Sequence, residues 1–302
     1  GTGDISSFTA TSSAVAPIVG NITVTPVYTY NDISCTGTAE TFSITVNPSP
    51  LVNFSENDQV ITTGETTTAV DLTSPTTGVT FAWTVSVPTG ITGVTTLTGT
   101  DNIPAETLIN STTGPLDVVY TAIATGDIGF DCEGLPTDYT VTVNPEAQVN
   151  PVDDQVVCND ENLVIEFSSI VTGGTTTFSW TNDNTAIGLD ATGTGNIDIT
   201  AINTTDEPLT ANIVVTPSFE NDGDTNTGDS TTFTITVNPT GQVNTVSNQI
   251  VSNGFDTTAI TFSTENVNGS TTFDWTNSIT SIGLAASGTG DISAFTGINT
   301  GS

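Results

Sequence analysis

The sequence predicts an all-β fold made of tandem β-sandwich repeats. Two observations lead to this prediction: one set of motifs recurs about every 95 residues, and short segments alternate apolar and polar side chains. In one such segment Phe233, Ile235 and Val237 point to one side of a strand, while the threonines between them point to the other. Short strands with this period-2 pattern and turn residues between them are typical of immunoglobulin-like sandwiches.

A tryptophan marks the repeat. It lies in a Phe-x-Trp-Thr motif at Trp83, Trp180 and Trp275, so the steps are 180 − 83 = 97 and 275 − 180 = 95 residues. Each repeat ends on Val-Asn-Pro, at Pro48, Pro145 and Pro239. A Gly-Asp/Asn-Ile motif, or its variant Asp101-Asn102-Ile103, keeps the same step. Because three separate markers keep the same spacing, the chain is an internally repeated sequence.

The Asn-Pro dipeptides divide the chain into four segments. Proline cannot donate to a continuing β-ladder, so a strand ends there. We therefore expect the end of one repeat in 1–48, complete repeats in 49–145 and 146–239, and the start of another repeat in 240–302. The links are short and contain proline, which predicts limited hinge freedom between repeats.

Six strands are predicted in the second complete repeat, and no stretch has the periodicity of a helix. The expected strands are 154–157, 163–170, 176–181, 196–202, 211–219 and 231–237. The last two form a closing hairpin, and the third carries the tryptophan.

The three tryptophans are predicted to fill the sandwich cores. Each shares a strand face with an aromatic residue two positions earlier, at Phe81, Phe178 and Phe273. A face that carries two large apolar rings favours burial. The alternative is an exposed tryptophan platform that binds sugar.

The charge of the chain excludes several classes of function. There are 33 Asp and Glu residues but no Lys, Arg, His or Met, which gives a net charge of −33. Without basic side chains the protein has no group for pairing phosphate, so nucleic acid is not an expected partner. Without imidazole or amine it lacks the usual general bases and Schiff-base nucleophiles, so we expect no enzyme, no catalytic residues and no bound cofactor.

One acidic loop has a partial calcium-binding pattern. Asp222, Asp224, Asn226 and Asp229 offer oxygen ligands at nearly alternating positions. However, the glycine comes one place late for an EF-hand loop, and no Glu closes the loop at the twelfth position. A solvated turn is the favoured interpretation, with weak Ca²⁺ binding as the alternative.

Three cysteines occupy two repeat positions. Cys35 and Cys132 lie 13 residues before the terminal proline, where the next repeat has Asn226, and Cys158 matches Thr62. Each complete repeat holds one cysteine, which argues against a bridge within a repeat. If repeats stack end to end, Thr62 should face Asn226, neither of which is a cysteine, and the partners of all three cysteines would lie outside this sequence or beyond reach. A Cys132–Cys158 bridge and free thiols remain open alternatives.

The Phe-x-Trp-Thr, Gly-Thr-Gly-(Asp/Asn)-Ile and Ile-Thr-Val-Asn-Pro motifs resemble the PKD-like repeats of giant secreted surface proteins of Bacteroidota, which include gliding-motility adhesins. The resemblance implies type IX secretion, anchorage at the outer membrane, and a mechanical role in cell adhesion or gliding as part of a long filament. It implies further repeats of the same chain, surface polysaccharide or substratum, and the secretion and gliding machinery as partners. A carbohydrate-binding array and an S-layer or matrix component are the alternatives.

Two hydroxyl residues fit a modification pattern. Ser230 and Thr257 each follow an aspartate, as in sequences that resemble the O-glycosylation acceptors of Bacteroidota. We therefore predict them as possible O-glycosylation sites.

Overall fold

The computed structural model describes residues 1–127 and 131–301. It contains two compact units. The first comprises Gly1–Glu146 with two later segments, Val171–Thr175 and Glu220–Asn226; the second comprises Ala147–Ile170, Thr176–Phe219 and Thr227–Ser302. Tandem immunoglobulin-like β-sandwich repeats form the chain, as the sequence predicted.

Strands account for nearly all regular structure. Before Pro48 they are β1 Ile18–Val24, β2 Val27–Tyr30, β3 Ile33–Thr36 and β4 Glu40–Val46. The first complete repeat has β5 Asn53–Phe54, β6 Gln59–Thr62, β7 Leu72–Thr73, β8 Val79–Ser86, β9 Ile91–Thr92, β10 Thr98–Gly99, β11 Ile109–Asn110, β12 Leu116–Asp127, β13 Asp131–Glu133 and β14 Thr137–Asn144. The second has β15 Gln155–Cys158, β16 Asn162–Ile165, β17 Thr175–Asn182, β18 Thr192–Thr194, β19 Ile197–Thr200, β20 Leu209–Asn221, β21 Asp224–Thr227 and β22 Thr231–Asn238. Two short strands follow, β23 Asp274–Thr276 and β24 Ser287–Thr289.

The main sheet of the first complete repeat has the order β10-β8-β12-β14-β6, with β13 paired to β12. Strands β12 and β14 are antiparallel and place Tyr120 opposite Tyr139, whereas β14 and β6 are parallel and place Val143 opposite Ile61. The inward side chains of these strands form one core together with Trp83.

The second complete repeat has the same arrangement. Its main sheet runs β15-β22-β20-β17-β18, with β21 paired to β20, and β15 is again parallel to β22. The core is formed by Trp180, Ile213, Phe233 and Ile235 among others. Alternation of apolar and polar residues along β22 puts Phe233, Ile235 and Val237 inside, as predicted.

Three local predictions differ from the structure. The second complete repeat has eight strands instead of the six predicted, because the short strands β18 and β21 pair with β17 and β20. The strand predicted for 163–170 ends at Ile165, because the backbone N–H of Phe167 donates to the Asn196 side chain (3.0 Å) instead of to a neighbouring strand. Two single turns of 3₁₀ helix, Thr185–Ile187 and Thr280–Ile282, also occur where the sequence shows no helical period. Each closes on a glycine with positive φ, Gly188 and Gly283, which ends the turn at once.

The segments at either end of the chain are partial sandwiches. Residues 1–48 contain the antiparallel pair β1–β4 and the hairpin β2–β3. Residues 240–301 contain the pair β23–β24 and two isolated bridges, Asp256–Thr296 and Ile260–Ile292. Neither segment has the five-strand path of the complete repeats.

Candidate functional site

The tryptophans of the complete repeats lie inside the cores. Trp83 is 3% exposed and Trp180 is 8% exposed, while Trp275 in the last segment is half-buried. Each indole N–H donates to a backbone carbonyl, that of Asp101 (2.8 Å), Gly195 (3.1 Å) and Gly290 (3.1 Å) respectively. Trp83 and Trp180 therefore do not form the exposed sugar-binding platform that was the alternative.

A glycine on the neighbouring strand makes room for each indole. A Cβ atom added at Gly99, Gly193 or Gly288 would fall 2.4, 2.1 or 2.3 Å from the ring of the tryptophan in its repeat. The recurring Gly of the Gly-Thr-Gly motif is thus required by close packing. This contact was not foreseen from the sequence, although the recurrence of the glycine after each tryptophan was a usable signal.

A buried asparagine fixes the last strand of each complete repeat. The side-chain amide of Asn110 donates to the carbonyls of Val143 and Gly114, both at 2.8 Å. Asn203 donates in the same way to Val237 (2.7 Å) and Glu207 (2.8 Å). These side chains are 6% and 3% exposed. Each asparagine therefore connects the loop that carries it, through a hydrogen bond, to the last strand of its repeat, which leads into the next repeat.

Hydroxyl groups hold these asparagines in place. Thr112 donates to Asn110 Oδ1 (2.7 Å) and Thr205 donates to Asn203 Oδ1 (2.8 Å). The Asn-x-Thr pattern is therefore a side-chain turn, in which a hydroxyl two residues on satisfies the amide oxygen.

Polar side chains from β6, β14 and the β20–β21 hairpin meet within the first compact unit. We call Thr62, Asn144, Asn221 and Asp224 the junction cluster. One Asp224 carboxylate oxygen accepts from the Thr62 hydroxyl and from the Asn144 amide, both at 3.0 Å, and Asn221 donates to the Asn144 amide oxygen (3.0 Å). Asn144 is completely buried. The cluster links the end of one repeat to a hairpin of the next.

A backbone contact recurs at two successive junctions. Within the first unit Thr172 N–H donates to the Thr113 carbonyl (2.7 Å), and within the second unit Val267 N–H donates to the Asp206 carbonyl (2.9 Å). Residues 113 and 206 follow Asn110 and Asn203 by the same three positions. The same loop therefore contacts the same part of the following repeat each time.

Close backbone packing accompanies these contacts. A Cβ at Gly134 would lie 2.1 Å from the Pro50 carbonyl oxygen, and one at Gly228 would lie 1.7 Å from the Ala147 carbonyl oxygen. Both glycines end the hairpin that precedes the last strand, and both carbonyls belong to the link after Asn-Pro. Only a glycine allows the hairpin to approach the link so closely.

The four residues of the acidic loop do not converge on a cation. Asp222 and Gly223 form the two-residue turn of a hairpin, with φ of +50° and +82°. Asp224 belongs to the junction cluster, and Asn226 donates to the Pro145 carbonyl (3.1 Å). Asp229 follows the hairpin. Among residues 1–127 and 131–301 no group of three or more Asp, Glu or Cys side chains is arranged to hold a metal ion. The geometry gives the calcium loop no support.

The cysteines carry free thiols. Cys35 and Cys158 are exposed, and Cys132 is half-buried. End-to-end stacking predicted that Thr62 faces Asn226. Thr62 instead donates to Asp224, two residues earlier in the chain. Asn226 donates to the Pro145 carbonyl in the link between the repeats. The expected facing pair is therefore displaced by two residues along β21.

The two predicted O-glycosylation positions differ in surroundings. Ser230 is exposed, and its hydroxyl lies 2.7 Å from that of Thr216. The Thr257 hydroxyl is occupied: it donates to the Phe295 carbonyl (3.2 Å) and accepts from the Phe295 N–H (3.0 Å). A glycan on Thr257 would remove the donated bond.

A buried acid in the first complete repeat was missed by sequence reasoning. Glu106 is 4% exposed and accepts from the Thr95 N–H (2.6 Å), the Thr95 hydroxyl (2.8 Å) and the Tyr120 hydroxyl (2.8 Å). Burial, and then the Glu106 carboxylate, raise the pKa of Tyr120 far above its ordinary value. Burial raises the pKa of Tyr139 to about 12. The sequence did contain a signal for this buried acid: Glu106 stands at a position where the last repeat has the apolar residue Phe295.

Comparison with known proteins agrees with this architecture. Residues 58–147 match the family model of the PKD-like domain. This PKD-like stretch contains Trp83, Glu106 and strands β6 to β14. The repeat at 146–239 has the same strand order, so the chain is an immunoglobulin-like repeat protein.

Several solved structures are distantly similar. Fibronectin(III)-like modules of Clostridium thermocellum CbhA are 17% identical, covering 63% of this chain and 95% of that chain, with a TM-score of 0.25. An I-band fragment of titin is 9% identical, covering 84% and 90%, with a TM-score of 0.37. Mouse cadherin-23 is 11% identical, covering 72% and 74%, with a TM-score of 0.29. No curated protein matched the sequence.

The described part of the chain contains no helix long and apolar enough to cross a membrane.

Proposed function

We propose that the chain is a segment of a long, repetitive cell-surface filament that acts as a mechanical stalk in surface adhesion or gliding motility. The observation that carries this proposal is the recurrence of the same loop contact, Thr113 with Thr172 and Asp206 with Val267. A contact repeated with the period of the sequence restricts bending at both junctions where it occurs, which a stalk requires.

The strand order of each repeat suits it to bear load. The first strand of the main sheet is parallel to the last strand, in the registers Gln59 with Val141 and Gln155 with Ile235. A pull on the two ends of a repeat moves these strands in opposite directions along their length. All hydrogen bonds between them then share the force in shear, instead of breaking one after another.

The composition suits an extracellular surface. The charge of −33 makes neighbouring chains and repeats repel, which favours an extended and soluble filament. We further propose that the filament is exported by type IX secretion, is anchored at the outer membrane, and resembles the gliding-motility adhesin SprB. Its partners are further repeats of the same chain, surface polysaccharide or substratum, and the secretion and gliding machinery.

Single-molecule force spectroscopy on the 302-residue chain tests the load-bearing role. We expect two unfolding events, each releasing roughly 300 Å of chain, since a repeat of about 95 residues extends by about 3.3 Å per residue. Ile61→Pro removes a β6 backbone donor on the side that faces β14, the side on which the Thr63 N–H donates to the Asn144 carbonyl (2.9 Å), and should lower the force of one event. Thr258→Pro, outside the complete repeats, is the control and should leave both events unchanged. Unfolding without distinct force peaks would contradict the proposal.

A further inference from the structure

The chain contains two Asn-Gly dipeptides, Asn253-Gly254 and Asn268-Gly269. Asparagine deamidates most readily before glycine, because glycine has no side chain to hinder attack of its backbone nitrogen on the asparagine amide. Both asparagines are exposed. Their local sequences are therefore alike, and only the surroundings of the two glycine nitrogens can distinguish them.

The backbone nitrogen of Gly254 is occupied. Its N–H donates to the Gly297 carbonyl (2.8 Å). The equivalent bond in the second complete repeat runs from the Asp160 N–H to the Ala201 carbonyl (2.8 Å), so this bond belongs to the repeat fold. Attack on the Asn253 amide needs the same nitrogen. The reaction at Asn253 therefore has to wait until this part of the loop opens.

The backbone nitrogen of Gly269 is accessible. Its N–H donates to no group within the described chain, and a Cβ added at Gly269 would meet no atom within 4 Å. The Asn268 amide donates to a carboxylate oxygen of Glu207 (3.1 Å), and both of these side chains are exposed. Of the hydrogen bonds in the structure, only this exposed one has to break before the amide turns towards the Gly269 nitrogen.

Asn268 also belongs to the second of the two repeated junctions. There the Val267 N–H donates to the Asp206 carbonyl (2.9 Å). The Gln242 amide donates to the Asp206 carboxylate (2.8 Å), as the Asn268 amide does to Glu207. Two carboxylates are thus each held by an uncharged amide. The chain has no lysine, arginine or histidine that could neutralise them.

We propose that Asn268 is a site of spontaneous deamidation and that the product loosens the second junction. The Gly269 nitrogen gives its proton to water and attacks the Asn268 Cγ. The new N–C bond closes a succinimide ring, and the side-chain nitrogen leaves as ammonia. Water then opens the ring, which leaves an aspartate or isoaspartate at position 268. The balance is one water consumed and one ammonia released, so no other reactant is needed.

The new carboxylate reverses the interaction with Glu207. A donor that held this carboxylate is replaced by a second negative charge, and two like charges at such a separation repel, most strongly at low salt. The first junction has Gly114 and Gly173 at the positions of Glu207 and Asn268, so it cannot change in this way. This inference concerns the chemistry of one loop and does not depend on the stalk function.

Peptide mapping by mass spectrometry tests the reaction on the whole 302-residue chain, incubated in mildly alkaline buffer. A protease that cuts after Glu265 separates the two asparagines into different peptides. We expect Asn268 to deamidate at least about tenfold faster than Asn253, because Asn253 reacts only from an opened loop. In urea the two rates should become similar. Equal rates in the folded chain, or a difference that persists in urea, would overturn the proposal.

Two variants test the consequence for the junction. Asn268→Asp carries the charge of the product, whereas Asn268→Gly loses the donor without adding charge and tolerates the φ of +59°. Hydrogen exchange of the Val267 N–H, followed by NMR, should be about two- to fivefold faster in the Asp variant than in the Gly variant at low salt. High salt should reduce this difference, and exchange of the Thr172 N–H at the first junction should not change. Equal exchange of Val267 in both variants would overturn the proposed loosening.

Discussion

At the scale of single residues, hydrogen bonds of buried polar side chains determine how firmly each repeat is closed. Asn110 and Asn203 each donate to two backbone carbonyls from a buried position. Leaving such groups unpaired in an interior costs about 1–3 kcal/mol. Glu106 has a comparable role in the first complete repeat, and the matching residues are Thr200 in the second and Phe295 in the last segment.

Replacing the buried asparagine should therefore destabilise its repeat. We expect Asn203→Ala to lower the free energy of unfolding by about 1–3 kcal/mol, since the carbonyls of Val237 and Glu207 lose their donor. Urea denaturation followed by tryptophan fluorescence measures the change, with Trp83 and Trp275 replaced by phenylalanine so that only Trp180 reports. Asn150→Ala, which removes an exposed bond to the Ser168 hydroxyl, is the matched control and should cost less than about 0.5 kcal/mol. Equal effects of the two variants would contradict the role of Asn203.

Burial keeps two of the tyrosines in the neutral form. Burial raises the pKa of Tyr139 to about 12, and burial together with the Glu106 carboxylate raises the pKa of Tyr120 well above its ordinary value. A raised pKa in the folded state means that the neutral form is favoured. The stabilisation is complete below pH 10 and is lost as the pH rises towards 12.

Absorbance at the phenolate band measures this titration. The phenolates of Tyr120 and Tyr139 should appear only together with unfolding. Tyr120→Phe should remove one quarter of the total phenolate amplitude of the four tyrosines, from the part that appears with unfolding. Ionisation of Tyr120 and Tyr139 near pH 10 in the folded protein would show that both are accessible.

At the scale of strands, each sheet depends on a tryptophan that lies flat against a glycine of the next strand. The indole takes the space of a side chain on β10 or β18, so those short strands pair beside it. The edges of the same sheets depend on side-chain caps. Asp183, for example, binds both the N–H and the amide of Asn212, each at 2.7 Å.

Filling the glycine position should disrupt the sheet. A methyl group at residue 193 would lie 2.1 Å from the Trp180 ring, so we expect Gly193→Ala to cost about 1–3 kcal/mol through forced displacement of the indole. Thermal unfolding by circular dichroism and the Trp180 emission maximum report the effect. Gly241→Ala has no atom within 4 Å of the new methyl and should leave stability unchanged. A neutral Gly193→Ala variant would show that the indole has room to move.

The Asp183 cap predicts an acid dependence. Hydrogen bonds from the Asn212 side chain and then its backbone lower the pKa of Asp183 below its ordinary value. A depressed pKa stabilises the fold above about pH 4, and that contribution is lost as the pH falls through the folded-state value. The stability difference between the wild type and Asp183→Asn should therefore be present at pH 7 and disappear at strongly acid pH. A difference that does not change with pH would mean that the charge of Asp183 contributes nothing.

At the scale of the whole molecule, repulsion among carboxylates opposes folding and no side-chain cation offsets it. The carboxylates that give the charge of −33 are spread over many surface loops, so dissolved salt screens the repulsion among all of them. The Debye length falls from about 10 Å at 0.1 M salt to about 3 Å at 1 M.

Stability should therefore rise with ionic strength. We expect Tm to increase by several degrees between low salt and 1 M NaCl, as measured by calorimetry. CaCl₂ and MgCl₂ at matched ionic strength serve as the control. Equal Tm values in these two salts would indicate non-specific screening, whereas a rise with Ca²⁺ alone at micromolar concentration would contradict our description of the Asp222–Asp229 loop as a solvated turn. A fall in Tm with salt would contradict the repulsion argument.

The sequence by itself determined the repeat, the all-β class, the inward faces of the main strands and the absence of basic chemistry. These features follow from the periodicity of residues along the chain and from the amino-acid composition, both of which can be read from the sequence without knowing the fold. The tertiary structure alone decided which polar groups meet. Thr62 and Asp224 are 162 residues apart, and Glu106 reaches Tyr120 only because the segment between the isolated bridges of Ile103 and Thr107 packs against β12. Side-chain hydrogen bonds form between atoms that the fold brings within about 3 Å, and no spacing along the chain encodes that distance.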